Sequence, residues 1–163
     1  MRCLATFVLL FGIASLASAK DWTAFESKVG QFTVQAPGKL KTSETTIATD
    51  AGDLKVVTES VSESTRLLLS ITYVDYPPRF SLVDKNVLLT GVRDGLKTKD
   101  ARLVRDTIGD DGREVFIHHG KYSTRTRLIL SGTRLYQVTA TGTPDTADGK
   151  QATQFLNSFQ ITK

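Results

Sequence analysis

Alternation between apolar and polar residues is the feature that most constrains the fold of this chain. The clearest case covers residues 66–76, where the apolar side chains on one face are Leu67, Leu69, Ile71 and Tyr73. Side chains of a strand point alternately to its two faces, so this period of two predicts a strand with one buried face. The strand must end at Pro77-Pro78, because a proline pair cannot donate hydrogen bonds to a sheet.

The same pattern recurs along most of the chain. Further strands are predicted over residues 31–36, 42–49, 54–61, 102–108, 113–119, 124–130, 134–141 and 159–162. The second and third of these are separated by a short turn and are expected to form a hairpin. Gly132-Thr133 lies between two alternating runs, as in a tight type II′ turn.

Two segments have helical periodicity instead. Within residues 82–98, Leu88, Val92 and Leu96 recur every fourth position, and Ser81 followed by Asp84 resembles a capping box. A shorter helix is expected over residues 146–157. Many strands with one inserted helix and one closing helix indicate an α+β fold, in which a single antiparallel sheet packs against helices.

The first nineteen residues predict export from the cytoplasm. Arg2 precedes an apolar run over residues 4–16, and Ala17-Ser-Ala19 has the small residues that signal peptidase requires. The run is shorter than the roughly 20 apolar residues of a membrane-spanning helix. We therefore expect residues 1–19 to be a signal peptide cleaved between Ala19 and Lys20, and residues 20–163 to be one secreted or periplasmic domain.

Composition excludes several classes of function for the exported chain. Cys3 and Met1 are the only sulfur-containing residues, and both would leave with the signal peptide. Disulfides, thiolate nucleophiles and cysteine-ligated metals are therefore not expected. The formal net charge is +4, but basic and acidic residues are interspersed along the chain. Such patterning does not favour a nucleic-acid partner, and no further segment is apolar enough to span a membrane after cleavage.

The only two histidines, His118 and His119, are adjacent in a predicted strand. Their rings should point to opposite faces of the sheet, so they could not both bind one metal ion without a bulge. No His-x-His or His-x-x-Glu spacing is present, so we expect neither a metal nor a cofactor. A hydrolase that uses His118 or His119 with a nearby carboxylate remains an alternative.

Arginines on one strand provide the candidate binding residues. Arg125 and Arg127 share a face, and Arg134 begins the strand predicted to pair with theirs. Guanidinium groups clustered in this way can bind carboxylates or phosphates, although a solvated sheet face would also explain them. Tyr136 follows on the same strand as Arg134. We take Arg125, Arg127, Arg134 and Tyr136 as candidate binding residues.

Several short segments, in this order, resemble small secreted bacterial domains related to PsbP. They are WTAFESKVGQFTVQAPG, YVDYP, LLTGVRDGL, GREVFI, RLYQVTATG and FLNSFQI, and together they extend from Trp22 to Ile161. The resemblance implies the α/β/α sandwich shared by PsbP, DcrB and Mog-like proteins. It also implies a non-catalytic, accessory role, and it supplies no catalytic motif.

These observations leave three hypotheses for function. The leading one is a non-enzymatic extracytoplasmic binding or accessory domain that acts on a protein complex or a cell-envelope component. Its contact surface would be the arginine-bearing face or the groove between the 82–98 helix and the sheet. The alternatives are a small-ligand carrier with a pocket between sheet and helix, and the histidine-dependent hydrolase. The oligomeric state stays open.

Overall fold

The computed structural model describes residues 21–49 and 52–162. The predicted signal peptide, residues 1–19, and its cleavage site lie outside the described residues. No helix within the described ranges is long and apolar enough to cross a bilayer.

The described residues form ten strands. In chain order they are β1 (Thr23–Ser27), β2 (Phe32–Ala36), β3 (Lys41–Thr49), β4 (Gly52–Ser64), β5 (Leu67–Asp75), β6 (Arg102–Ile108), β7 (Arg113–His119), β8 (Tyr122–Ser131), β9 (Arg134–Gly142) and β10 (Gln160–Ile161). Seven of them form an antiparallel sheet in the order β3-β4-β5-β9-β8-β7-β6. The β3–β4 hairpin is confirmed, since the two strands pair along the whole length of β3. Ser131 pairs with Arg134 around a two-residue turn in which only Gly132 has a positive φ, as in a type II′ turn.

The expectation of a single sheet is wrong, although the α+β class is confirmed. A second, three-stranded sheet has the order β1-β2-β10 and lies over one face of the large sheet. Residues 31–36 and 159–162 were both expected in the large sheet, but β2 and β10 pair with each other instead. A period of two identifies a strand and its buried face, but it does not identify the strand's partner.

The helices are shorter than their sequence patterns predict. Helix α1 covers Lys85–Gly95 and not residues 82–98, because a 3-10 helix occupies Pro78–Leu82 ahead of it. The N-terminal cap of α1 also differs from the predicted capping box of Ser81 and Asp84. Asp84 is the N-cap residue, and its carboxylate accepts from the amides of Asn86 and Val87 at 2.9 and 3.1 Å. The predicted 146–157 helix is divided into α2 (Pro144–Ala147) and α3 (Lys150–Ser158).

The middle of the large sheet is covered on both faces. The face beneath the small sheet, α2 and α3, here called the inner face, holds the larger core. Its fully buried aromatic members are Phe32, Phe155 and Tyr136. On the opposite face α1 packs through Leu89 against Leu128, Leu135 and Val74. The layers are therefore α1, the seven-stranded sheet, and a third layer that combines a small sheet with two helices.

Candidate binding site

The two predicted arginines of β8 lie together on the inner face and contact carboxylates of the protein itself. The Arg125 guanidinium donates to both Glu114 oxygens at 2.9 and 3.3 Å and to Thr153 Oγ1 at 2.8 Å. It also lies 3.2 Å from Asp148, to which Arg105 donates at 2.8 Å. The Arg125 side chain is only 12% exposed. These contacts, here called the Glu114 cluster, connect the sheet to α2 and α3.

Arg127 is similarly engaged. It donates to the Leu156 carbonyl oxygen at 2.8 Å and to the Asp111 carboxylate at 2.6 Å. The first of these bonds satisfies a carbonyl near the end of α3, where helix carbonyls lack intrahelical partners. The contacts of Arg127 therefore support a structural role at the third layer.

The other two candidate residues lie apart from these arginines, towards the small sheet. Arg134 binds both oxygens of Asp75 at 2.6 Å, and this bidentate pair holds the pKa of Asp75 below its usual value. Arg134 also donates to the Val29 carbonyl at 2.9 Å, and the buried Tyr136 hydroxyl donates to the Gly30 carbonyl at 2.8 Å. These bonds fix the β1–β2 turn. Each of the four candidate residues has a partner inside the fold. A binding role for them stays a prediction.

The histidines lie on opposite faces of β7, as their adjacency predicts. His118 Nδ1 is 2.5 Å from Ser123 Oγ, and His119 Nδ1 is 3.4 Å from Thr98 Oγ1. Ser123 is completely buried, so a substrate could not reach its hydroxyl. Neither ring is hydrogen-bonded to a carboxylate within the described ranges, and no group of three potential metal ligands occurs there. This geometry gives the hydrolase alternative no support.

A cavity of about 280 Å³ opens where the end of β1 and the following turn meet the inner face of the large sheet. We call it the junction cavity. Its lining residues are Phe25, Glu26, Ser27, Lys28, Val29, Thr42, Glu44, Val57, Glu59 and Tyr73. Five cavities of 220–280 Å³ lie in the described part of the chain, and none of these five is lined by a residue of α1. The expected pocket between sheet and α1 is not among them.

Glu59 sets the junction cavity apart from the other cavities. Its side chain is 3% exposed, and its Oε1 accepts a hydrogen bond of 2.6 Å from Ser27 Oγ. Its Oε2 is the one fully buried side-chain nitrogen or oxygen atom among the described residues that has no hydrogen-bond partner. A buried carboxylate oxygen with no donor costs on the order of 1–3 kcal/mol or more. Glu59 therefore lines an open cavity while its unpartnered oxygen lies below the accessible surface.

Local structure holds Glu59 and Ser27 in place. Glu59 lies on β4 opposite Ile71 of the central strand β5 and Thr42 of the edge strand β3. Ser27 Oγ also accepts from the Gly30 amide at 3.1 Å. A Cβ at Gly30 would collide with Ser27 Oγ and with the Phe32 ring, so the turn depends on glycine at this position. The Ser27 hydroxyl is therefore directed at Glu59 by a constrained turn.

The sequence of β4 contains a feature that could have identified Glu59 as an unusual buried acid, although the strand pattern alone did not. On β4, Val57, Glu59 and Val61 occupy successive positions of the face that packs into the inner core. An acidic residue in the middle of an apolar row is unusual, because a buried charge needs a partner. The partner, Ser27, is 32 positions away and belongs to the other sheet.

The cavity is acidic although the whole chain is basic. Its lining contains three carboxylates, Glu26, Glu44 and Glu59, and one lysine, Lys28, so its formal charge is negative, whereas the chain has a formal net charge of +4. Lys55 pairs with Glu44 at 2.8 Å on the exposed rim. Burial raises the pKa of Tyr73, and the negative charge of Glu59 raises it further. The wall beside Glu59 thus has a negative electrostatic character.

Comparison with solved structures identifies the type of fold. No protein-family model and no curated protein matches the chain. Among solved structures, it is similar to cyanobacterial PsbP (CyanoP) from Synechocystis sp. PCC 6803, with a TM-score of 0.54 and 14% identity over 93% of this chain and 98% of that chain. A Bacteroides thetaiotaomicron VPI-5482 protein gives a TM-score of 0.44 and 10% identity over 86% of this chain and 48% of that one. The first likeness confirms a PsbP-like fold.

Proposed function

We propose that this chain is a non-enzymatic, extracytoplasmic accessory domain that binds a protein partner through the junction cavity. The observation that carries the proposal is the acidic junction cavity beside the edge strand β3. Its most buried lining residue, Glu59, has a carboxylate oxygen without a hydrogen-bond partner. A group that weakens the free protein is retained most readily where a bound partner satisfies it. The predicted signal peptide and the PsbP-like fold support the extracytoplasmic and accessory parts of the proposal.

The position of the cavity also suits a protein partner. It lies at the edge of the large sheet, where β3 pairs with β4 on one side and, within residues 21–49 and 52–162, has no strand on the other. All nine residues of β3 are exposed, and two of them, Thr42 and Glu44, line the cavity. An open strand edge can bind an extended segment of another protein through backbone hydrogen bonds, while an adjacent pocket receives one of its side chains.

The proposal can be tested with two tryptophan substitutions on β3. Thr42→Trp should fill the mouth of the cavity, whereas Thr45→Trp adds the same side chain to an exposed residue that does not line it. Tagged versions of both proteins and of the wild type would be used to recover partners from a cell-envelope extract at equal loading. We expect Thr42→Trp to reduce the recovery of a specific partner at least about tenfold, the ratio that corresponds to 1.4 kcal/mol. Thr45→Trp should retain it.

Equal recovery by the two variants would show that the cavity is not the contact site. Thermal unfolding of both variants provides the control for folding, since exposed threonines on an edge strand should tolerate tryptophan. The predicted arginine site is tested in the same experiment with Arg125→Glu combined with Arg127→Glu. Because both arginines support the fold, their loss should lower stability whether or not a partner is lost.

A further inference from the structure

We propose that a groove across the outer face of the large sheet binds an anionic carbohydrate chain. The outer face is the face on which α1 packs, opposite to the inner face. The groove, here called the outer groove, consists of two adjoining cavities of about 230 and 240 Å³ that share Ser62 and Leu68. This site does not depend on the proposed function, because the junction cavity lies on the other face of the sheet.

Helix α1 leaves the end of the outer face around Leu68 uncovered. The helix packs near Val74 of β5, and Leu68 lies six positions earlier on the same side of that strand. Six residues of a strand span about 20 Å. Ser62, Leu68 and Thr141 lie opposite one another on the neighbouring strands β4, β5 and β9. Because Leu68 is 43% exposed, this row forms an accessible floor for the groove.

The lining of the outer groove is basic. Lys39 and Lys41 line one cavity and Arg66 lines the other, and among the described residues no aspartate or glutamate lines either cavity. All three side chains are exposed, and none has an ion pair or a side-chain hydrogen bond within the described ranges. Arg125 and Arg134, by contrast, are paired with carboxylates. Cations without neighbouring acids attract an anionic partner, because no internal carboxylate competes with it.

An exposed aromatic ring lies at one end of the outer groove. Tyr122 lines the cavity that contains Arg66, and its side chain is exposed. The Lys121 ammonium lies 5.4 Å from the centroid of the Tyr122 ring, which adds a fourth cation beside the groove. The apolar C–H face of a sugar ring can pack on such a ring and on the exposed Leu68.

The floor of the groove suits a ligand rich in hydroxyl groups. Its uncharged polar side chains all bear hydroxyls, which both donate and accept hydrogen bonds. They are Ser60, Ser62, Ser64, Thr65, Tyr122 and Thr141. The backbone groups of β4, β5 and β9 are used within the sheet, because each of these strands has a neighbour on both sides. An extended peptide binds best at an open strand edge, so the groove favours a sugar chain over a peptide.

The shape of the outer groove suits a chain better than a bilayer. From Lys41 on β3 to Tyr122 on β8 the sheet has four strand spacings, or about 19 Å. The two cavities lie in succession along this length. Basic residues also attract anionic lipids. A lipid surface would contact the rim of the groove, however, whereas an extended chain can occupy both cavities.

The test is calorimetric titration of the purified protein at low ionic strength. The probes are a galacturonate tetramer, a sulfated galactose tetramer, the neutral galactose tetramer, a glutamate tetramer and phosphatidylglycerol vesicles. We expect saturable binding of at least one anionic sugar, weakened by added salt, with the neutral sugar and the glutamate tetramer at least about tenfold weaker. Failure of both anionic sugars to bind, or equal binding of the glutamate tetramer, would overturn the inference. Binding to the vesicles alone would overturn it in favour of a lipid surface.

Matched charge variants show whether the outer groove is the site. Lys41→Gln combined with Arg66→Gln removes two charges of the groove, whereas Lys99→Gln combined with Arg102→Gln removes two exposed charges that line neither cavity. The first pair should weaken the anionic sugar by at least about tenfold, because two charge-assisted contacts are lost. The second pair should weaken it less than about threefold. Equal effects would show attraction to net charge alone and would contradict the site. Thermal unfolding of both proteins provides the control for folding.

Two substitutions of Tyr122 separate recognition of the sugar from recognition of its charge. Tyr122→Phe keeps the aromatic ring, and Tyr122→Ser removes the ring but keeps a hydroxyl. Tyr122→Ser should weaken the anionic sugar by at least about threefold, whereas Tyr122→Phe should stay within about twofold of the wild type. Neither change should alter the weaker binding of the glutamate tetramer. Unchanged sugar binding by Tyr122→Ser would show that charge alone drives binding, and the carbohydrate assignment would be wrong.

Discussion

Two carboxylates on the inner face of the same sheet have opposite surroundings. Glu114 on β7 is 23% exposed at its side chain and accepts from Arg125 at both oxygens, with Arg105 3.5 Å away. Glu59 on β4 is 3% exposed, yet only the neutral Ser27 hydroxyl donates to it. An acid that served stability alone would have more partners as it became more buried. The reversed order fits a stabilising role for Glu114 and is the contrast on which our proposal for Glu59 rests.

The largest effect in this comparison is expected from Arg125→Met. The substitution keeps much of the apolar stem but removes one of the two cations that Glu114 and Asp148 share, so that only Arg105 remains. Removing one partner of a buried ion pair typically costs 3–5 kcal/mol, and the partial exposure of this cluster places our expectation at about 3 kcal/mol. Urea unfolding would measure it. Arg102→Met, at an exposed position of β6, should cost less than about 0.5 kcal/mol.

A smaller loss is expected from Glu114→Gln. The amide keeps one acceptor oxygen for Arg125, but it loses the charge and the second acceptor. Hydrogen bonds to charged groups contribute about 1.5–3 kcal/mol, so we expect the free energy of unfolding to fall by about 2 kcal/mol. A change below about 0.5 kcal/mol would show that the Glu114 cluster contributes little to stability. Glu114 could then no longer serve as the stabilising acid with which Glu59 is compared.

The third prediction concerns the stability of the protein at low pH. A hydrogen bond from Arg105, together with the charges of Arg105 and Arg125, holds the pKa of Asp148 below its usual value near 3.8. A lowered folded-state pKa adds stability that is fully present above the unfolded value and is lost as pH falls through the folded one. Unfolding free energy should therefore decrease below about pH 4. Asp148→Asn should make that decrease shallower, and urea unfolding at several pH values between about 2 and 6 would measure it. Above about pH 5 the unfolding free energy of each protein should stay roughly constant.

Sequence periodicity predicted much of this fold, for physical reasons that also explain its failures. Strands β5 and β7 follow from alternation, because each has buried apolar positions. Strand β6 and the β3–β4 hairpin also form where the sequence predicts them, although β3 is exposed along its whole length and β6 has no buried residue. Alternation could not assign β2 and β10 to a second sheet, since partner choice depends on contacts between residues more than 120 positions apart. The helix limits also differed, because the 3-10 segment after Pro77 uses residues that share the helical spacing.

The candidate site was harder to predict than the fold. Alternation places Arg125 on a face with apolar neighbours, but the register between β7 and β8 is needed to bring Glu114 within reach of its guanidinium. The sequence therefore indicated a cluster of free cations where the structure has an internal ion network. Glu59 was missed for the converse reason. Its importance depends on the donors that are absent around it, and these are defined only by the tertiary structure.

The free energy of unfolding of Glu59→Gln, measured beside Glu114→Gln, tests the central claim most directly. Replacing an unpaired buried carboxylate by a neutral amide removes a desolvation cost and keeps an oxygen for Ser27. We predict that Glu59→Gln unfolds with a free energy equal to the wild-type value or up to about 1 kcal/mol higher. A loss of about 2 kcal/mol, equal to that of Glu114→Gln, would show that Glu59 is an ordinary structural acid and would contradict the account.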